Sequence, residues 1–156
     1  MSEKREMKWA PHGDVEANNE LIKGFLPGHM GVQFTAIEHG RCEARLEIQP
    51  HHHAPNGFLH AATPVTLADT AAGFGCRHSL PEGANGFTTI DLSCSYLGTA
   101  TEGSIACVAE MVHGGRSTQV WDVRVRRESD DRVIALFRCT QMVLYPREPA
   151  SANPGS

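Results

Sequence analysis

The chain has 156 residues, a formal net charge of −4 and a pI near 6.1. That length suits one domain with a real core, and an acidic balance with no long basic block argues against nucleic-acid binding. No run is apolar and charge-free for long enough to span a bilayer, and the first twenty residues lack the apolar stretch of a secretory signal, so a cytoplasmic protein is expected.

Residues 1–29 form a polar segment with one short helix expected from Asp14 to Lys23. Residues 31–37 predict a strand that ends at the turn Glu38-His39-Gly40. In the next run, RCEARLEIQ, Cys42, Ala44, Leu46 and Ile48 alternate with Arg41, Glu43, Arg45 and Glu47, the pattern of a half-buried antiparallel strand. PHHHAPNG then breaks the period as a loop. The stretch from His60 to His78 predicts one helix. Pro64 fixes its start near residues 60–63, because proline is tolerated in the first helical turn, where its missing N–H goes unused. Four strands follow, at 87–97, 104–113, 118–128 and 132–145, separated by turns rich in Gly, Ser and Asp.

The order strand, strand, helix, four strands in meander gives an α+β fold with an antiparallel sheet. One domain over 30–146 is expected, and PREPASANPGS (residues 146–156) has the composition of a disordered tail, with the domain boundary at 147. The helix shows no polar stripe, so it should be enclosed by a curved sheet.

Between Ala61 and Cys76 the only charged residue is Asp69. Its helical neighbours Val65, Thr66, Ala72 and Gly73 cannot neutralise it. A buried, unpaired carboxylate is costly and its pKa rises, the conditions that make a general base or nucleophile. The structural alternative, a carboxylate capped by backbone or paired with a distant arginine, carries equal weight on composition alone. At the helix start the unpartnered N–H groups and the positive end of the dipole suit a developing oxyanion. Ala61 and Ala62 are small enough to let a ligand reach that backbone, and His60 precedes them on a loop that also carries Asn56 and Gly57. The adjacent His51, His52 and His53 cannot easily converge on one ion, so no metal site is expected. Cys42, Cys76, Cys94, Cys107 and Cys139 are scattered and form no CxxC pair; they read as small packing residues, Cys76 included.

The string GFLHAATPVTLADTAAG resembles the PaaI-type acyl-CoA thioesterases of the hotdog-fold superfamily, whose pattern is G-x-x-H-G-G with an acidic residue nine positions after the His. Gly57, His60 and Asp69 match that spacing. TTIDLSCSYLGTATEG and MVHGGRSTQVWDVRV resemble the family's later strands and hairpin, so the likeness spans roughly residues 30 to 145. It implies a curved antiparallel sheet wrapped around one long central helix. It also implies hydrolysis of an acyl-CoA thioester with no metal or redox cofactor, coenzyme A being part of the substrate. Asp69 would be the general base or nucleophile. His60 and the N–H of Ala62 would polarise the carbonyl, and Thr89 would position the water. Gly57 and Ala61 would border the substrate, while Gly115, Arg116 and Ser117 would touch the CoA moiety. The family assembles its site across a homodimer, often within a homotetramer.

Four positions depart from that pattern, one of them Pro64, which is not typical within the first turn. The usual His-Gly-Gly reads His60-Ala61-Ala62, and the amide residue six positions before the His is Ala54, with Asn56 or His53 as substitutes. Phe58, Leu59 and Phe74 favour an aromatic or medium-chain acyl group. A non-catalytic acyl-CoA-binding protein and a hotdog hydratase or dehydratase are the competing readings. The unpaired Asp69 favours catalysis, and hydratases carry a different motif around the helix.

Overall fold

The computed structural model describes residues 9–147, so residues 1–8 and most of the expected tail (148–156) lie outside the described part. Helix α1 (Val15–Ile22) begins where Asp14 accepts a hydrogen bond from the Ala17 N–H at 2.9 Å, and a single turn, α2, covers Leu26–His29. The strands are β1 (Val32–Glu38), β2 (Arg41–Glu47), β3 (Gly86–Tyr96), β4 (Ser104–Gly114), β5 (Thr118–Arg127) and β6 (Arg132–Leu144), and the long helix α3 spans Ala62–Arg77. One six-stranded antiparallel sheet results, in the order β1-β2-β4-β5-β6-β3, and it wraps around α3 in the hotdog arrangement. Every expected element is present within a residue or two. No helix among the described residues is long and apolar enough to cross a membrane.

The alternation read from the sequence sets the register. Cys42, Ala44 and Leu46 on β2, Trp121, Val123 and Val125 on β5, and Leu67, Ala68, Ala71, Ala72 and Cys76 on α3 form the core. Small residues on α3 let the sheet come close. At Gly75 a Cβ would lie 2.6 Å from the ring of the fully buried Trp121, so only glycine fits there.

The last four strands are not a simple meander. β4, β5 and β6 are successive neighbours, but β3 pairs with β6 at the far edge, and β4 pairs back with β2. The 97–103 connector carries the chain across the end of the β5–β6 hairpin. It is held there by the Leu97 N–H to Ile134 O (2.8 Å) and by Arg127 to Thr99 O (2.8 Å). Consecutive strands usually neighbour one another, which is why the sequence read as a meander; a connector longer than the ~2–5 residues of a hairpin loop permits the crossover.

The helix is not enclosed on all sides either. Thr63, Pro64, Leu67, Ala68, Ala71, Ala72, Gly75 and Cys76 face the sheet and are buried. Ala62 is exposed, and Val65, Thr66, Asp69, Thr70 and Gly73 are only half-buried along the opposite side. The absence of a polar stripe therefore reflects a second side left open by this chain.

The two sheet edges differ. Asn19 of α1 accepts from the Phe34 N–H at 2.8 Å and donates to the Phe34 carbonyl at 3.1 Å, so a side chain occupies the β1 edge as a strand would. With Ile22 in the core and Trp9 against Phe74 (ring centroids 5.9 Å apart), residues 9–29 pack onto the domain. Among the described residues no such cover lies on β3, where Ile90, Leu92 and Tyr96 are exposed.

Candidate active site

Pro50 opens a short 3-10 turn, and the buried His52 closes it by accepting the Gln49 N–H at Nδ1 (2.9 Å). The His52 carbonyl then accepts two bonds, from the His60 N–H (2.9 Å) and from the Thr63 hydroxyl (2.9 Å). His53 bonds the Thr101 carbonyl through Nε2 at 2.9 Å. His52 and His53 thus fix the loop to the helix start and to the 97–103 connector. Among the described residues no three potential metal ligands gather.

Asn56 and Gly57 form the tip of this loop. Asn56 Oδ1 accepts the Phe58 N–H at 3.2 Å, and Gly57 adopts φ +87°, which side-chain-bearing residues rarely reach. Asn56 makes no hydrogen bond to His60 or Asp69. His60 is exposed at the helix start, and its Nδ1 accepts the Ala62 N–H at 3.0 Å. A neutral imidazole that accepts at Nδ1 carries its proton on Nε2, so His60 presents a donor outward.

Asp69 lies on the open side of α3. Its Oδ1 is buried and has no hydrogen-bond partner among the described residues, and burial alone pushes its pKa above the ordinary carboxylate value. The thiol of Cys139 on β6 lies near enough to feel this carboxylate, although burial is the larger cause of its rise to about 12. Beside it the fully buried Gln141 accepts the Thr89 hydroxyl at 2.8 Å. Thr89 therefore sits in the same region as Asp69 but spends its proton on Gln141. From the start of α3 to Asp69 is seven helical rises, roughly 10 Å along the axis. His60 and Asp69 of one chain are therefore separated, not in contact.

Gly115, Arg116 and Ser117 form the β4–β5 turn. It is tied by the Gly115 N–H to Thr118 O (2.8 Å), by Tyr145 Oη to the Arg116 carbonyl (2.6 Å) and by the Val143 N–H to Ser117 O (2.8 Å). The Arg116 guanidinium is exposed, 5.9 Å from the Tyr145 ring centre. Thr118 pairs with Met142, which pairs with Thr88 near the start of β3, whereas Tyr96, at the other end of β3, bonds the Ala61 carbonyl. The ends of this 11-residue strand lie roughly 30 Å apart, so one chain does not bring the Arg116 turn to its own His60.

Comparison with known proteins fits this arrangement. The thioesterase superfamily pattern matches residues 56–134, which hold the loop, α3 and most of the sheet. The chain belongs to the thioesterase superfamily. It is 29% identical over 119 residues to the 1,4-dihydroxy-2-naphthoyl-CoA hydrolase of Listeria monocytogenes, covering 76% of this chain and 95% of that one. The thioesterase HI1161 of Haemophilus influenzae superimposes with a TM-score of 0.80 at 24% identity, over 92% of this chain and 97% of that one. The E. coli PaaI protein superimposes with a TM-score of 0.69 at 18% identity, over 76% and 83% of the two chains. The chain is thus a hotdog-fold thioester hydrolase.

In this thioesterase the Ala62 N–H, expected to face the substrate, has an acceptor within the chain. It donates to His60 Nδ1, so the outward donor at the helix start is Nε2–H of His60. The N–H of Ala61 has no acceptor among the described residues. Pro64 is buried in the first turn, as its missing N–H allows. Cys76 is a buried packing residue of the thioesterase, its thiol pushed up to about 12 by burial. A groove of about 650 Å³ opens on the opposite face of the sheet, away from α3. Most of its charges are paired within the chain, Arg41 with Glu110 (2.7 Å), Arg138 with Asp122 (2.5 Å) and Arg126 with Asp131 (3.2 Å), while the exposed Arg124 makes no ion pair among the described residues.

Sequence reasoning missed Tyr96, His52 and Gln141. Their roles rest on contacts between distant segments, which leave no local spacing to read. The nearest signal is composition, since a histidine or glutamine that is fully buried must find partners.

Proposed function

We propose that the enzyme hydrolyses the thioester of an aryl- or medium-chain acyl-CoA, with Asp69 as general base or nucleophile, in a site shared by two copies of the chain. The observation that carries this reading is the unpartnered Asp69 Oδ1 on the open side of α3. Desolvation without a compensating charge is costly and is hard to account for as a stabilising feature.

With Asp69 as base, the carboxylate takes a proton from water, whose oxygen bonds to the thioester carbon. The carbonyl oxygen gains charge and is met by Nε2–H of His60 and the positive end of α3. Collapse breaks the C–S bond, and the proton passes from Asp69 to the CoA sulfur, giving free acid and CoA. Water, a base and carbonyl donors suffice, so we assign no metal or redox cofactor.

The open β3 edge supports a homodimer. Pairing the uncovered β3 with β3 of a second copy in antiparallel sense sets the Tyr96 end of one strand beside the Gly86 end of the other. The Arg116 turn of one copy then approaches the His60 corner of its mate, where it would hold the CoA phosphates. The roughly 10 Å between His60 and Asp69 within a chain supports the same division, with His60 from one copy and Asp69 from the other.

The test is CoA release from a panel of aryl and straight-chain acyl-CoAs, for wild type and Asp69→Asn. Hydrolysis by wild type and a loss of at least about a hundredfold in a folded Asp69→Asn enzyme is expected. A wild type inert across the panel would point to the binding-protein reading, and an Asn variant of equal activity would remove Asp69 from the chemistry.

A further inference from the structure

The hydroxyl of Tyr96 donates to the carbonyl oxygen of Ala61. The N–H of that same peptide group belongs to Ala62, and it donates to Nδ1 of His60 at 3.0 Å. One amide thus receives a hydrogen bond at its oxygen and gives one at its nitrogen. Such bonds reinforce one another, by roughly 10–30% each, because a donor on the oxygen draws density from the nitrogen and sharpens the N–H.

We infer that Tyr96 is a positioning residue for the thioesterase, acting through the Ala61–Ala62 peptide to hold the His60 ring in its Nε2–H tautomer and aim it at the substrate carbonyl. The inference rests on the proposed role of His60 as the carbonyl donor.

The other bonds of this corner hold backbone, not ring. The His60 N–H and the Thr63 hydroxyl both go to the His52 carbonyl, and the Thr63 N–H goes to the His60 carbonyl at 2.9 Å. Among the described residues the Ala62 N–H alone bonds the imidazole, and Tyr96 is the only side chain that donates to the peptide carrying it. The setting of Tyr96 fits a polar role. Its register partner is the buried Ala135, which puts it on the core face of β3, yet it is 45% exposed and α3 does not bury it. Burial of the hydroxyl end and the neighbouring Cys94 push the phenol up to about 12, so it keeps its proton across the neutral range.

The experiment compares wild type with Tyr96→Phe, which keeps the ring and removes only the donor. Imidazole ¹⁵N–¹H correlation spectra are recorded at pH ~8.5, well above the ordinary histidine range near 6.5. The His60 signals are assigned by their loss in His60→Gln. Wild type is expected to show His60 with Nδ1 bare and Nε2 protonated. Tyr96→Phe is expected to show a clear Nδ1–H population. Its kcat should fall roughly fivefold, the size of one ordinary hydrogen bond, with KM changed less than about twofold.

A Tyr96→Phe ring that stays wholly Nε2–H overturns the inference, as does a variant whose KM rises while kcat holds. The spectra do not depend on turnover, so the two readings fail separately. A wild type without hydrolysis, or a fully active His60→Gln, strikes the functional role of His60 and with it the catalytic half of the inference, while the tautomer still decides the link from Tyr96 to the ring.

Discussion

Asp69→Asn should make the protein more stable at neutral pH, while abolishing its activity. In the wild type, Oδ1 is shut off from water and has no donor, and desolvation is the one cause of the raised pKa. Leaving a buried polar atom unsatisfied costs ~1–3 kcal/mol, and more when it is charged. The residue is only half-buried, so water screens the rest of the carboxyl, and Asn keeps a polar atom in the same place. Both corrections bring the expected gain down to about 1 kcal/mol. In a chain of this size that is a rise in Tm of roughly 2–4 °C. The sign of the pH dependence is fixed. Folded Asp69 holds its proton more tightly than unfolded Asp69, so its favourable contribution is complete below the ordinary value of 3.8 and is lost as pH rises through the higher folded value. The gap between variant and wild type should therefore be small near pH ~4 and full by pH ~7. Urea denaturation at both pH values, at one fixed protomer concentration, measures it. An Asn variant less stable than wild type at neutral pH, or a gap that does not change with pH, would refute the reasoning: the carboxylate would then have a partner that this chain does not supply.

Three further outcomes are expected. Mixing His60→Gln and Asp69→Asn subunits, each inactive alone, should restore about a quarter of wild-type activity, because half of a random mixture is heterodimer with one intact site of two; no recovery after subunit exchange would place both residues in one chain's site. Arg116→Ala should raise KM for acyl-CoA roughly fivefold to tenfold with kcat little changed, and the effect should shrink for an acyl-pantetheine substrate that lacks the nucleotide phosphates. Gly75→Ala should destabilise by up to about 2 kcal/mol, since pushing a methyl into the Trp121 ring at 2.6 Å costs ~1–3 kcal/mol against the ~1 kcal/mol of helix propensity that alanine adds; a thermal melt with higher Tm would show that Trp121 can give way.

The elements were legible because each has a local cause. Alternation on β2 and β5, proline at the head of α3 and glycine or aspartate at the turns all act within a few residues. Strand order was not, because β3 joins β6 through contacts between segments distant in sequence, which period and turn chemistry do not encode. Asp69 was legible as an anomaly of composition, a lone charge on an apolar helix, and the structure gives it the unpartnered oxygen that the anomaly required. The bond made by the Ala62 N–H was not legible for a physical reason: counting free N–H groups at a helix start takes no account of a side chain folding back, and His60 Nδ1 does so. That the helix needed burial was also readable; that one sheet would cover only one side of it was not.

Three features of the single chain are otherwise unrelated, and the proposed second copy would account for all of them. The β1 edge is closed by Asn19, while the β3 edge is left open with Ile90, Leu92 and Tyr96 exposed. The side of α3 that carries Asp69 is small and nearly uncharged, yet the described residues leave it only half-buried. The Arg116 turn sits at the wrong end of β3 for the His60 corner of its own chain. A protein guarding against promiscuous edge pairing would not cap one edge and leave apolar residues on the other. An antiparallel β3 partner pairs the open edge, brings a second layer over the open side of α3 and reverses the direction of β3, so that each turn meets the opposite corner. In the proposed dimer the fold keeps a desolvated carboxylate that weakens the isolated chain, and the layer that would make it useful comes from a second copy.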